Sequence, residues 1–187
     1  MKNLLIAILT VLAVIAVTTV VFAADTEVPL GAEIPEERYT VTIPDDELTL
    51  SVTANTTRLN FAAEEVLLFK GNTLKVSVNS ANDYDLVCES GETVSRIPYK
   101  LILFNPDVGN EIITGKDFLL VEYEGIGTVD EAYSKNVNLI VSLCGTVEDA
   151  VSGGAGAEAS AREALNEATL AGKHTDTLTF TCEVVSG

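Results

Sequence analysis

Alternation of apolar and polar residues from Thr40 onward is the feature that most constrains the fold of this chain. Five segments place apolar side chains at every second position; they read TVTI, LTLSV, TLKVSVN, VNLIVSL and DTLTFTCEV. Because successive side chains of a strand point to opposite faces of a sheet, this period indicates strands with one buried face. Turn-rich stretches such as FKGN, ESGE and EGIG separate them. Such short, regular spacing is typical of an antiparallel β-sandwich.

One stretch departs from this period. Residues 158–170 follow the glycine-rich SGGAGA, are rich in Ala, Glu and Leu, and stand just before Gly172. Glycine is common directly after a helix, so we predict one short helix near residues 158–170. Its apolar stripe of Ala161, Leu165 and Ala168 would pack against the sheets. The segments LNFAAEEVLLFK and DFLLVEYEG fit either period, and their β-branched and aromatic residues favour strands.

The N-terminus has the pattern of a secretory leader. A single early charge, Lys2, precedes the apolar run from Leu4 to Phe22, and small residues follow. This predicts a signal peptide over residues 1–23, cleaved after Ala23. The apolar run is also about as long as a bilayer-spanning helix, so an uncleaved membrane anchor is the alternative. Either outcome places the rest of the chain outside the cytoplasm, secreted or at the cell surface.

The remainder of the chain divides into two parts, and acidic residues outnumber basic ones in the sequence. Residues 24–38 form an acidic, proline-bearing lead-in that we expect to be extended, and residues 39–187 are long enough for a single β-sandwich domain. The 187 residues include 28 acidic and 11 basic side chains, giving a net charge of -17. Such a surface repels nucleic acid and anionic membranes, so contact with a membrane is expected only through an uncleaved leader.

The three cysteines differ in the face that the alternation assigns to them. Cys88 and Cys182 fall on the core side of their strands, whereas Cys144 falls on the opposite face at a strand end. For an exported protein this predicts a disulfide between Cys88 and Cys182, with Cys144 as a free thiol. Three reduced thiols are the alternative, and Cys144 could also join two copies. No CxxC-like spacing favours a metal site.

Residues that could carry chemistry are few. His174 is the only histidine and is predicted to be a solvated turn residue. No phosphate-binding glycine loop, HExxH or GxSxG motif occurs, so neither enzyme activity, a cofactor nor a metal is predicted. Tyr99 shares the parity of core residues, which leaves Tyr123 and Tyr133 as candidates for an exposed aromatic platform. Asn55 begins a glycosylation sequon, which has meaning only in a eukaryotic host.

Two stretches resemble a known group of proteins. The ending AGKHTDTLTFTCEV resembles the terminal strand of bacterial secreted sandwich proteins, including spore-coat-U-like and fimbrial (pilin-type) subunits. The stretch LKVSVNSANDYDLVCESGETVSRIPYKLILFN is similar to a strand, turn and strand series of the same proteins. The resemblance implies an immunoglobulin-like or fimbrial-type antiparallel β-sandwich. His174 stands where these endings usually have an aromatic residue, and the predicted helix is an addition to their pattern.

These observations lead to one expected function and one alternative. We expect an exported, non-enzymatic structural or adhesion-type protein of the cell surface or extracellular space, in its narrowest form a pilus-like subunit. Its expected partners are other copies of itself or components of the cell envelope. Donation of an N-terminal strand between subunits is not favoured, because the final strand is strong and the lead-in alternates poorly. The alternative is a secreted binding module for a glycan or Ca²⁺ built on the loops and acidic turns.

Overall fold

The structure, a computed structural model, describes residues 32–43, 47–105, 107 and 109–187. The predicted signal peptide, its cleavage point and the first part of the lead-in, residues 24–31, lie outside the described residues. The described chain is mainly β, as predicted. Its strands are β1 (Arg38–Thr42), β2 (Thr56–Leu67), β3 (Asn72–Ser80), β4 (Asp85–Ser90), β5 (Thr93–Pro98), β6 (Lys100–Leu103), β7 (Glu111–Ile113), β8 (Phe118–Glu124), β9 (Tyr133–Ser142) and β10 (Leu178–Ser186).

These strands form three antiparallel sheets. The five-stranded sheet has the order β1-β2-β9-β6-β7, the three-stranded sheet has the order β10-β3-β8, and β4 pairs with β5. Every strand pair is antiparallel, which confirms that part of the prediction. Both ambiguous segments of the sequence lie in strands, as β2 and β8. The prediction of a strand for LTLSV, residues 48–52, is wrong, because the chain turns here and the backbone N–H of Ser51 donates to the carbonyl of Ala54 at 3.0 Å.

Side chains from both larger sheets meet in one hydrophobic cluster. Phe61 of β2, Val76 of β3 and Leu139 of β9 are all buried in it, and Ile97 of β5 joins them. The rings of Phe61 and Phe180 contact each other edge to face, with centroids 5.8 Å apart. Because apolar residues at every second position reach this cluster, the alternation in the sequence follows directly from burial of one face.

A bulge explains why the alternation fails within β2. The register to both neighbouring strands shifts in this part of β2, and Glu65 adopts a left-handed backbone with φ of 52°. The extra residue reverses the parity of the positions after it. Ala63 and Val66 are three positions apart and yet are both fully buried. The paired acidic residues Glu64 and Glu65 therefore both stay exposed at the bulge.

Two helices connect β9 to β10, where the sequence predicts one. The first, α1 (Val147–Ser152), is a short helix whose N-cap Thr146 accepts a hydrogen bond from the backbone N–H of Asp149 at 3.1 Å. The second, α2 (Ala155–Asn166), contains the predicted stripe residue Ala161, which is buried in the main core. Within the described residues, neither helix has the length and hydrophobicity needed to cross a bilayer.

The end of α2 lies before the predicted one at residue 170, and Gly172 does not cap it. The backbone N–H of Thr169 donates to the hydroxyl of Ser95 on β5 at 2.9 Å. That tertiary bond takes the place of a helical one and draws the chain onto β5. Residues 167–177 then run as a loop along the β4–β5 hairpin into β10.

Candidate functional site

A cleft of about 880 Å³ opens beside the start of β10, between this strand, the segment after β1 and the β4–β5 hairpin. Its apolar lining includes Ile43, Leu48, Leu50, Leu59, Leu178 and Phe180. Its polar rim includes Glu47, Tyr99, Lys173, His174, Thr175 and Asp176. The volume lies in the range of sites that hold a small molecule or a short chain segment.

Asp176 is the centre of a hydrogen-bond network at this rim. Its Oδ2 accepts from the hydroxyls of Ser80 and Tyr99, both at 2.6 Å. Its Oδ1 accepts from the backbone N–H groups of Asn82 at 3.0 Å and Thr177 at 2.7 Å. Both carboxylate oxygens are thus engaged in holding the loop before β10 to the end of β3. Used in this way, the carboxylate is a structural anchor rather than a free base.

Tyr99 is buried, as its parity predicts, and its hydroxyl is held by Asp176. Burial raises the pKa of this phenol first, and the hydrogen bond to Asp176 raises it further. Tyr84 packs edge to face on Tyr99, and its hydroxyl donates to the carbonyl of Gly115 at 3.1 Å. Burial also raises the pKa of Tyr84. Both phenols therefore remain protonated hydrogen-bond donors at neutral pH.

Sequence reasoning missed Asp176, although a pattern was present. Asp176 has the same parity as Leu178, Phe180 and Cys182, the inward-facing residues of β10. A carboxylate on the inward side of a strand requires hydrogen-bond donors, because burying a charge without partners is costly. The polar residue Ser80 ends the inward set of β3 in the same way; Ser80 is buried and Asp176 is half-buried. The two positions together could have indicated a polar contact.

His174 is a half-buried contact residue rather than the predicted solvated one. Its Nε2 lies 2.8 Å from the hydroxyl of Ser95, and its Nδ1 lies 3.2 Å from the carbonyl oxygen of Gly172. A neutral ring protonated on Nδ1 satisfies both contacts, donating to Gly172 and accepting from Ser95. Ser95 is 1% exposed and also accepts from the N–H of Thr169. A substrate has no access to this hydroxyl, so the pair is not a nucleophile and base.

The predicted disulfide between Cys88 and Cys182 is wrong, because all three cysteines, which the structure describes, are unpaired. Cys88 on β4 follows Val87, which bridges to Thr175, whereas Cys182 pairs with Val76 in the middle of β3. Cys182 is seven positions after Thr175, which in extended chain is about 20 Å. A disulfide requires Cα atoms within about 7 Å. The alternation thus assigns both thiols to the inward side of their strands, but the two thiols lie far apart along the strands.

Cys144 is unpaired and buried on the opposite face of the five-stranded sheet. It packs with Ile102, Ile140 and Ala157 in a second cluster under the helices. Its Sγ lies 3.7 Å from the Ala157 carbonyl oxygen and 3.7 Å from the Thr56 hydroxyl. With 1% exposure, this thiol is inaccessible to a second copy, which removes the reading that Cys144 joins two chains.

The predicted aromatic platform and the sequon are also used internally. Tyr123 and Tyr133 are half-buried and stack on each other, with centroids 4.1 Å apart and planes inclined by 11°. Each ring therefore covers one face of the other. Burial raises the pKa of Tyr133. Asn55 is 9% exposed, and its amide donates to the carbonyl of Val52 at 2.9 Å, so the sequon is closed to glycosylation in the folded chain.

Comparisons with known proteins add no assignment. No protein-family model, curated protein or solved structure matches this chain. Among the described residues, no group of three or more His, Cys, Asp or Glu side chains is arranged to hold a metal ion. The resemblance to spore-coat-U-like and fimbrial subunits therefore stays a prediction drawn from the two quoted stretches.

Proposed function

We propose that this chain is an exported, non-enzymatic structural or adhesion-type protein of the cell surface, built on an immunoglobulin-like or fimbrial-type β-sandwich. The main observation in its favour is the cleft. The rim groups Asp176, Tyr99 and His174 are engaged in bonds within the chain, Glu47 and Lys173 pair with each other, and the larger part of the accessible lining is apolar. Such a surface suits contact with another protein better than chemistry on a substrate.

The exposed residues support the same proposal. The outward side of β10 presents Thr179, Thr181 and Glu183 to solvent. Hydroxyl-bearing strand faces are compatible with an extracellular surface and offer no nucleophile activated by a base. The predicted leader supports export, and the acidic balance of the sequence keeps such a protein soluble outside the cell.

The test measures retention of the purified protein on envelope fragments of its own host. Leu48 lines the cleft and is 36% exposed, so Leu48→Asp places a charge on the contact surface. Val94 is 45% exposed and lies outside the cleft, so Val94→Asp is a matched control with the same added charge. We expect Leu48→Asp to reduce retention at least tenfold and Val94→Asp to leave it unchanged. No retention of the wild-type chain, or equal retention of both variants, contradicts the proposal.

A glycan-binding module is the second candidate, because the volume of the cleft also suits a short oligosaccharide. A glycan panel followed by thermal shift separates the two functions. A glycan that raises the melting temperature of the wild-type chain and fails with Leu48→Asp would favour the binding module. Retention on envelope fragments stripped of glycan would favour the structural protein.

A further inference from the structure

β10 is an edge strand with a long unpaired side. It pairs with β3 over all nine of its residues, from Leu178 opposite Ser80 to Ser186 opposite Asn72. In the part of the chain that the structure describes, no strand pairs with β10 on its other side. An edge of this kind presents a row of N–H and C=O groups to any other strand.

The register identifies which backbone groups face the free side. The carbonyl of Thr177 accepts from the N–H of Ala81, and the N–H of Gly187 donates to the carbonyl of Gly71. Odd-numbered residues of β10 therefore point their backbone groups toward β3. Since these directions alternate along an antiparallel strand, the backbone groups of Leu178, Phe180, Cys182, Val184 and Ser186 point outward.

The other edge strands of the two larger sheets carry features that hinder pairing, and β10 does not. β1 is five residues long and its register shifts between Arg38 and Thr40. β7 has only three residues. β8 has a register irregularity against β3 and bears Glu122 and Glu124. β10 has an uninterrupted register and a single charged residue, Glu183, with no proline.

The side chains of β10 also show an unfinished contact. Its inward residues Leu178, Phe180, Cys182 and Val184 are half-buried, whereas the inward residues of β3, such as Leu74 and Val76, are fully buried. A central strand has neighbours on both sides and an edge strand has one. A further strand beside β10 would complete the burial of this inward set.

We propose that the free edge of β10 pairs antiparallel with β10 of a second copy of this chain, centred on Cys182. The inference rests on the proposed structural function and names its partner. The outward-pointing backbone groups of the two copies must face each other in the new pair. The two-fold axis that relates the copies therefore lies at a residue, which faces its own equivalent in the second copy. The centre at Cys182 overlaps all nine residues of both strands. It places Glu183 opposite Thr181 of the second copy, so no like charges lie directly opposite each other in the new pair.

The experiment measures the dimer dissociation constant of the full exported protein by sedimentation equilibrium up to about 1 mM, since small interfaces bind weakly. Thr181→Glu sets like charges opposite each other twice per dimer, and we expect it to weaken dimerisation by about two- to thirty-fold. Thr181→Lys sets opposite charges there and should strengthen it. Thr179→Glu adds the same charge as Thr181→Glu but faces Val185 of the second copy, and it should leave the dissociation constant nearly unchanged.

Three further results decide the inference. Added salt should strengthen the dimer, because both copies are strongly acidic: the full sequence has a net charge of -17. A chain that remains monomeric at about 1 mM overturns the inference. A dimer that responds equally to Thr181→Glu and Thr179→Glu uses another surface or register and overturns it too. Unchanged melting curves for the three variants show that the fold is retained, and envelope retention, which depends on the cleft, is scored separately.

Discussion

Asp176 holds the start of β10 in place, because four donors from three parts of the chain converge on its carboxylate. Hydrogen bonds to a charged group each contribute about 1.5–3 kcal/mol, and removing the acceptor leaves the donors Ser80 and Tyr99 partly buried without partners. We expect Asp176→Ala to lower the free energy of unfolding by about 3 kcal/mol, measured by urea denaturation. Glu183→Ala removes an exposed carboxylate from β10 itself and should cost below about 0.5 kcal/mol. Equal losses would contradict the anchoring role.

Tyr99 should make the protein sensitive to alkali. Burial and the bond to Asp176 raise the pKa of Tyr99 in the folded state above the value of about 10 in the unfolded chain. The unfolded state therefore releases its proton first. The stabilisation that the protonated Tyr99 contributes is fully present below pH 10. It is lost as the pH rises above this value, and the free energy of unfolding then falls by up to about 1.4 kcal/mol per pH unit.

Tyr99→Phe separates this effect from the loss of other protons in alkali. The variant should be less stable than wild type at pH 8 by about 1 kcal/mol, because one hydrogen bond is lost. Its unfolding free energy should then fall less steeply than that of wild type above pH 10, in urea titrations at a series of pH values. Parallel curves for the two proteins would show that Tyr99 does not carry the dependence.

Residue parity predicted the burial of side chains but not their partners. Tyr99 lies in the core, and Cys144 lies on the face opposite Leu143, as the alternation indicates. The contacts of His174 and the separation of the two inward cysteines depend on how the strands are ordered and offset. Alternation within one strand contains no information on that offset, so the candidate site could be predicted only as a set of inward residues.

At the scale of elements, Gly125 allows the chain that follows β8 to pass in close contact with the turn between β2 and β3. A Cβ at this position would lie 2.5 Å from the carbonyl oxygen of Phe69 and 2.6 Å from the Cβ of Leu68. Both are atoms that cannot rotate away. Its N–H also donates to the carbonyl of Asn72 at 2.7 Å. We expect Gly125→Ala to lower the unfolding free energy by about 2–3 kcal/mol.

Gly91→Ala is the matched control for this prediction. Gly91 lies in the turn between β4 and β5 with φ of 62°, and a Cβ there would meet nothing within 4 Å. Its replacement should cost only the backbone strain of about 1 kcal/mol. Urea denaturation of the two variants compares a steric cost with a conformational one. A loss for Gly125→Ala no larger than that for Gly91→Ala would show that the turn relaxes around the methyl group.

Four of the five alternating segments lie in strands, whereas LTLSV forms a turn instead, and the helices were predicted less well than the strands. A strand with one buried face repeats every two residues, and the turns between strands are marked by Gly, Asn and Asp. The bulge at Glu65 interrupts this period, which made the segment around it ambiguous. Helix α1 has six residues and gives too few turns for a helical period to show. The end of α2 is set by a bond to Ser95, which no local pattern records.

At the scale of the whole molecule, charge opposes compaction. The sequence has 28 acidic and 11 basic side chains. The described residues form three ion pairs, Lys75–Glu122, Arg96–Asp85 and Lys173–Glu47, all with exposed or partly exposed partners. Exposed ion pairs contribute little to the free energy of unfolding, so screening them with salt costs little stability. The repulsion among the unpaired carboxylates is the larger effect, and salt should relieve it.

We therefore expect the melting temperature at pH 7 to rise with ionic strength. Between about 10 mM and about 100 mM salt the screening length falls from about 30 Å to about 10 Å, so most repulsion between distant carboxylates disappears. Sodium chloride and choline chloride should give the same rise, because screening depends on ionic strength alone. A rise with sodium only would indicate a bound cation. A fall with both salts would show that attractive pairs outweigh repulsion, which contradicts the charge balance as the controlling feature.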